Sequence, residues 1–263
     1  MSLGFIGAGT MAEALIRGLL HKGVLSPEDI AIYDVRLTRM EELERKYSIL
    51  AVKDKKALEG KDTVVLAVKP PDWREALEGF HLKEKGLLIS LVAGLPLKRL
   101  SGQLGEKAII RAMPNTPVLV GEGMTVLSPN PWVTEEQLQR ALQLFQSVGR
   151  ALVLPENVMN GVTALSGSGP AYIYLVIEAL ADGGVRQGLP REAALELAVQ
   201  TVLGAARMVR DTGEHPAVLK DRVASPGGTT IEALALLEEK GVRGAFIRAV
   251  EAAAHRAEKL GEE

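Results

Sequence analysis

Short apolar runs alternate with amphipathic stretches through the first half of the chain. Leu3–Ile6, Ile30–Tyr33, 63–68, 87–91 and 108–111 carry continuous apolar character, the mark of strands buried on both faces. Between them, 11–22, 37–46 and Trp73–Leu77 repeat their apolar positions with helical spacing. Strand and helix in alternation predict a parallel sheet wrapped by helices. Two further strands, 124–127 and 151–154, are expected to flank a helix over 134–148. Thr134 and Gln137 have the spacing of a capping box there, and Glu135 and Glu136 give the helix an acidic first turn.

After Pro155 the strand signal stops. Helical periodicity covers 158–181, Arg191–Thr212, 216–224, 229–240 and 242–259, with Gly183-Gly184, Gly188-Leu189-Pro190 and Gly213 as punctuation. The expected division is therefore an α/β domain over 1–155 and an all-helical domain over 156–263. The helical half holds more Ala, Leu and Val than a lone helical layer buries, which predicts packing against a second copy.

The chemistry starts at Gly4-Phe5-Ile6-Gly7-Ala8-Gly9-Thr10-Met11-Ala12, directly after the first strand. Gly7, Gly9 and Ala12 satisfy the dinucleotide fingerprint. Gly7 allows the tight turn, Gly9 lets a pyrophosphate approach the backbone, and Ala12 lets the helix close on the strand. Asp34 ends the second strand, 22 residues after Ala12, where an acid usually accepts from the adenosine ribose. That carboxylate favours NADH. Arg36 and Arg39 favour the 2′-phosphate of NADPH, so use of both is expected. Further contacts are expected from strand ends: Ala67-Val68-Lys69-Pro70, Val92-Ala93-Gly94, and Asn115 between two prolines.

Two glycine clusters mark the helical half. Leu165-Ser166-Gly167-Ser168-Gly169-Pro170 interrupts a helical pattern, and each interior Gly there costs about 1 kcal/mol against Ala. Ser225-Pro226-Gly227-Gly228-Thr229-Thr230 leads straight into an apolar helix, so its successive N–H groups form a seat for an anion such as a carboxylate.

Composition narrows the field. The 263 residues contain 31 basic and 33 acidic side chains, with no basic excess for nucleic acid. There is no cysteine, which removes thiolate chemistry and cysteine-bound zinc, and the four histidines lack metal-ligand spacing. No apolar run approaches about 20 residues and no signal segment is evident, so no membrane partner and a cytoplasmic location are expected.

Together these residues resemble the pyrroline-5-carboxylate reductase family. The resemblance spans nearly the whole chain, through Gly4–Ala12, Ala67–Pro70, Arg111–Pro117, Leu165–Tyr172 and Leu219–Leu234. Its most specific part is Asp221-Arg222-Val223-Ala224-Ser225-Pro226-Gly227-Gly228-Thr229-Thr230-Ile231-Glu232. It implies a Rossmann-type N-terminal domain followed by an all-α C-terminal dimerisation domain. It further implies a homodimer, with five dimers stacked into a decamer in some members. The implied reaction is hydride transfer from NADPH or NADH to the C=N bond of 1-pyrroline-5-carboxylate, giving L-proline, the last step of proline biosynthesis.

Carried over by position, the substrate carboxylate rests on the amides of Gly228, Thr229 and Thr230, within a loop that includes Ser225 and Gly227. The Thr230 hydroxyl bonds the ring nitrogen as the catalytic group, and Glu156 borders the pocket. Cofactor contacts fall on Ile6, Gly7, Ala8, Gly9, Thr10, Met11, Asp34, Arg36, Asp54, Ala67, Val68, Lys69, Pro70, Val92, Ala93 and Asn115. Asp34 and Asp54 depart from what many members carry, and both bear on the adenosine end. Two other readings stay open: a β-hydroxyacid-dehydrogenase-like oxidoreductase and a non-catalytic dinucleotide-binding protein. Against the first, 158–181 lacks the lysine such enzymes use.

Overall fold

The structure, a computed structural model, describes residues 1–262. The chain divides into two compact units, residues 1–168 with the end of the last helix from Ala253, and Gly169–Ala252. The sequence placed its boundary at 155.

The first unit is built on a sheet whose strands are β1 (Leu3–Ile6), β2 (Ile30–Tyr33), β3 (Leu50–Ala51), β4 (Thr63–Leu66), β5 (Leu87–Ser90), β6 (Ala108–Met113), β7 (Gly123–Pro129) and β8 (Gly149–Val153). Their spatial order is β3-β2-β1-β4-β5-β6-β7-β8. Neighbours from β3 to β6 run parallel, β7 lies antiparallel to β6, and β8 is parallel to β7. The connecting helices are α1 (Thr10–His21), α2 (Leu37–Tyr47), α3 (Trp73–Leu77), α4 (Leu97–Leu104) and α5 (Glu135–Gln146).

Apolar side chains leave the central strands on both faces, which is why the strands read as unbroken apolar runs. Leu3, Phe5, Ile32, Val65, Ile89 and Ile110 belong to one buried cluster. Ala31, Val64, Leu66, Leu88 and Ile109 belong to another. Thr134 caps α5 as expected: its Oγ1 accepts from the Gln137 N–H at 3.3 Å, and Gln137 Oε1 accepts from the Thr134 N–H at 2.9 Å.

Beyond β8, α6 (Met159–Val162) runs into a wider turn over Thr163–Gly167, where the Ser168 N–H bonds the Thr163 carbonyl at 2.9 Å. Such one-turn bulges recur at functional sites. In an α-helix the Ser166 carbonyl would accept from residue 170, but that residue is Pro170 and has no N–H. The Asn115 amide supplies the missing donor at 3.2 Å.

The second unit contains α7 (Gly169–Arg186), α8 (Arg191–Thr212), α9 (Pro216–Val223), α10 (Thr229–Glu239) and the start of α11 (Val242–Glu262). α7 continues through Gly183-Gly184 instead of stopping there. A side chain on Gly184 would press on Ala194 of α8, so the glycine serves close helix packing. Among the described residues of this unit, the buried cluster is only Ala181, Ala194 and Ala198. Among the described residues, one helical stretch, Glu156–Arg186, is long and apolar enough to cross a membrane by length and composition alone, a test that the core helix of a soluble protein also passes. The helical periodicity read from the sequence ends at 181, and the structure carries the helix on to Arg186.

Candidate functional site

Strand order reverses between β1 and β4, the place where open α/β sheets bind ligands beyond their strand ends. A cleft of about 590 Å³ lies there. Of the residues read from the sequence, Ile6, Gly7, Gly9, Asp34, Arg36, Ala67, Val68 and Lys69 line it.

Gly7 has φ +98°, and a Cβ on it would sit 2.5 Å from the Ala67 carbonyl oxygen. Only glycine fits this turn. The space beside Gly9 is open, with nothing within 4 Å of where a Cβ would stand. The residues present thus fit a dinucleotide, leaving bare backbone where a pyrophosphate must come close. Two loop donors are already engaged. The Gly7 N–H bonds the Tyr33 carbonyl at 2.7 Å, and the Ala8 N–H bonds Asp34 Oδ2 at 2.8 Å. The amides left for phosphate are those of Gly9 and the first turn of α1, which by helical geometry have no partner within the helix.

Arg36 is the N-cap of α2, and Asp34 stands two residues before it. Asp34 Oδ1 accepts from the Arg36 N–H at 2.9 Å and from Arg36 Nε at 3.0 Å. Burial pushes the Asp34 carboxyl up, but the bonds from Arg36 and Ala8 outweigh it and hold the group below its ordinary range. Arg39 does not line the cleft. Its guanidinium bonds the Ala8 carbonyl, Glu42 and Glu13.

Several expected residues stand apart from the cleft lining. Asp54 caps a short turn by accepting from the Lys56 N–H at 2.9 Å; its neighbour Lys55 lines the cleft instead. Lys55 Nζ donates to the Glu75 carbonyl at 2.6 Å, and Tyr33, Val35, Asp72, Glu75 and Ala76 complete the wall. Ala8 is fully buried. Thr10 and Met11 open α1, and Pro70 follows Lys69 into a short turn. Val92 is buried and Ala93 exposed just past β5. Asn115 braces its own loop, since its Oδ1 accepts from the Met124 N–H at 2.8 Å while its amide serves Ser166. Glu156 Oε1 accepts from the Leu97 N–H at 2.7 Å and from Arg111 at 3.1 Å, tying the start of α4 to β6.

In the second unit, the Ser225–Gly228 turn closes with the Gly228 N–H on the Ser225 carbonyl at 3.1 Å. Gly227 has φ +67°, and Gly228 begins α10 with no side chain capping the helix. Thr229 and Thr230 are its first two residues, and Thr230 is half-buried. Among the described residues, no group of three or more His, Asp or Glu side chains is placed to hold a metal ion.

A 3-2-1-4-5-6 strand order with a glycine cradle at its switch point defines a Rossmann-type dinucleotide-binding protein. Residues 2–94 match the family model for NADP oxidoreductases, coenzyme F420-dependent, and residues 156–260 match that for pyrroline-5-carboxylate reductase dimerisation. The chain is 45% identical over 263 residues to the pyrroline-5-carboxylate reductase of Synechocystis sp., covering 99% of this chain and 98% of that one. The solved pyrroline-5-carboxylate reductase of Coxiella burnetii is similar with a TM-score of 0.93 at 37% identity, covering 98% of both chains. That of Plasmodium falciparum, solved with NADP bound, gives 0.88 at 33% identity, covering 99% and 98%. The chain belongs to the pyrroline-5-carboxylate reductase family.

Proposed function

We propose that the chain reduces the C=N bond of 1-pyrroline-5-carboxylate to L-proline, with NADPH or NADH as the reductant. The observation that carries this is the uncapped start of α10 behind the Ser225–Gly228 turn. The amides of Gly228, Thr229 and Thr230 hold the substrate carboxylate there without a cationic side chain. The Thr230 hydroxyl bonds the ring nitrogen. Glu156 is fixed by Arg111 and the Leu97 N–H. The cleft at the β1/β4 switch point holds the dinucleotide, through Gly9 and the first turn of α1 at the pyrophosphate and through Asp34, Arg36 and Lys69 further along. When bound, the reduced dinucleotide supplies the hydride.

A protonated imine is already electrophilic, so the protein's main task is placement, worth on the order of 7–11 kcal/mol. That agrees with a substrate seat made of backbone amides and one hydroxyl. The test is loss of reduced-nicotinamide absorbance when the cyclic imine is added to purified protein with each dinucleotide; no loss with either would reject the activity.

The helical unit works as an interface between copies. Tyr174, Leu175, Leu197, Leu236 and Ile247 are exposed, while three alanines make up its buried cluster. A homodimer through this unit is the expected assembly, and five such dimers the larger one. Light scattering at twice or ten times the chain's 28.1 kDa decides between them, and an active monomer would reject both.

A further inference from the structure

Arg39 lies outside the cleft, yet its bonds reach the phosphate loop. Ala8 is the one residue between Gly7 and Gly9, and both of its polar backbone atoms are held by side chains. Its N–H donates to Asp34 Oδ2 at 2.8 Å, and its carbonyl accepts from Arg39 Nε at 2.9 Å. The second bond carries a directional consequence. The Ala8 carbonyl and the Gly9 N–H belong to one planar trans peptide, so they point in opposite directions. Holding the carbonyl on Arg39 turns the Gly9 N–H to the side away from α2. Gly9 lines the cleft and Arg39 does not.

Arg39 is itself fixed. Nη1 bonds Glu42 at 2.8 Å, Nη2 bonds Glu13, and Glu13 also accepts from Lys46 at 2.8 Å and from the Tyr47 hydroxyl at 3.0 Å. The Arg39 side chain is 16% exposed and that of Glu13 20%, so the pair is largely shielded from water. Each guanidinium nitrogen has its own acceptor, a task one ammonium group cannot reproduce. A flexible glycine loop would otherwise sample many orientations before meeting a ligand.

We propose that Arg39 is a positioning residue for the dinucleotide: through the Ala8 carbonyl it aims the Gly9 amide at the pyrophosphate, with Glu13 as its anchor. This rests on the dinucleotide reading of the cleft. Because the pyrophosphate is common to both cofactors, the effect must be equal for NADH and NADPH.

The test uses Arg39→Lys and Arg39→Met in the full chain, with dissociation constants for both dinucleotides by calorimetry, melting temperature and steady-state kinetics. Both dinucleotides are expected to bind about tenfold more weakly, the scale of one lost hydrogen bond to a charged group. At saturating dinucleotide, kcat is expected within about twofold of wild type, since loop aim affects binding rather than hydride transfer. Glu13→Gln leaves Arg39 in place but loosens it, and should move both constants the same way by less. It keeps the question open to test should the Arg39 variants fail to fold. Unchanged dissociation constants in a folded variant would overturn the proposal, leaving Arg39 a brace for α2 alone. Weakening of NADPH only would also overturn it, making Arg39 a 2′-phosphate contact. Failure of the wild-type chain to bind either dinucleotide would instead remove the underlying reading.

Discussion

Asp34 and Arg36 face each other through a two-pronged ion pair, Nε to Oδ1 at 3.0 Å and Nη2 to Oδ2 at 3.2 Å. With the N–H groups of Ala8 and Arg36 added, the carboxylate accepts from four donors. Its side chain is 8% exposed against 60% for Arg36. The negative charge at the end of β2 is therefore compensated, and the group that water reaches is the cation. Asp34 alone would repel a 2′-phosphate; the pair does not, which favours use of both dinucleotides.

Removing the acid tests this. Asp34→Ser frees Arg36 to pair with the 2′-phosphate, so the ratio of kcat/KM for NADPH over NADH should rise by about tenfold, the scale of one charge-assisted hydrogen bond. Both dinucleotides should also bind less well, because the Ala8 N–H loses its acceptor. An unchanged ratio would mean that Arg36 does not face the phosphate.

The Glu13 cluster predicts a pH dependence of stability. Burial raises the Glu13 carboxyl, but the bonds from Lys46, Arg39 and Tyr47 outweigh it and carry the value from its ordinary 4.5 down to about 2. A folded value below the unfolded one means that the ionised group stabilises the fold above about pH 4.5, and that this is lost as pH falls toward about 2. Glu13→Gln removes the titration. Its melting temperature should lie below wild type at neutral pH and converge with it across that acid window. Asp62, held near 2 by Lys83 and Ser2, titrates in both proteins and cancels in the comparison. A gap independent of pH would show that Glu13 acts through packing alone.

The sequence was most legible where one periodicity ruled a whole element. β1, β2, α3 and α8 begin and end where their apolar patterns do. β3 is two residues long, too short for any alternation, and exists because Ala31 and Ile32 offer it an edge. α4 went unread because it is short and follows Pro96, with few buried positions to set a period. Gly183-Gly184 reads as a stop until Ala194 is seen against Gly184.

At the site, the glycine cradle was visible because its spacing is local. The Ala8–Arg39 bond joins residues 31 apart and has no local signature. Lys55 was missed for a different reason. A lone lysine in a charged run carries no signal of its own, and it reaches the cleft because Asp54 caps the turn that it stands on.

Thr230 offers the sharpest test of the chemistry. It is the second residue of α10, behind a turn closed by the Gly228 N–H on the Ser225 carbonyl, and no side chain caps that helix. The first-turn amides are thus free for a carboxylate, and the Thr230 hydroxyl is the polar side chain that follows them. The Thr230 hydroxyl would donate to the lone pair that develops on the ring nitrogen as hydride adds to the iminium carbon, a bond absent from the protonated imine and formed only as the reaction proceeds. Thr230→Val keeps the branched shape and removes the hydroxyl. It should lower kcat by roughly ten- to 150-fold, the equivalent of about 1.5–3 kcal/mol for a hydrogen bond to a charged group. Dinucleotide affinity should change little, because the glycine cradle is untouched. Thr230→Ser keeps the hydroxyl and should retain most of the rate. Wild-type turnover in Thr230→Val would remove the residue from the chemistry, leaving the backbone amides of α10 as the whole substrate seat.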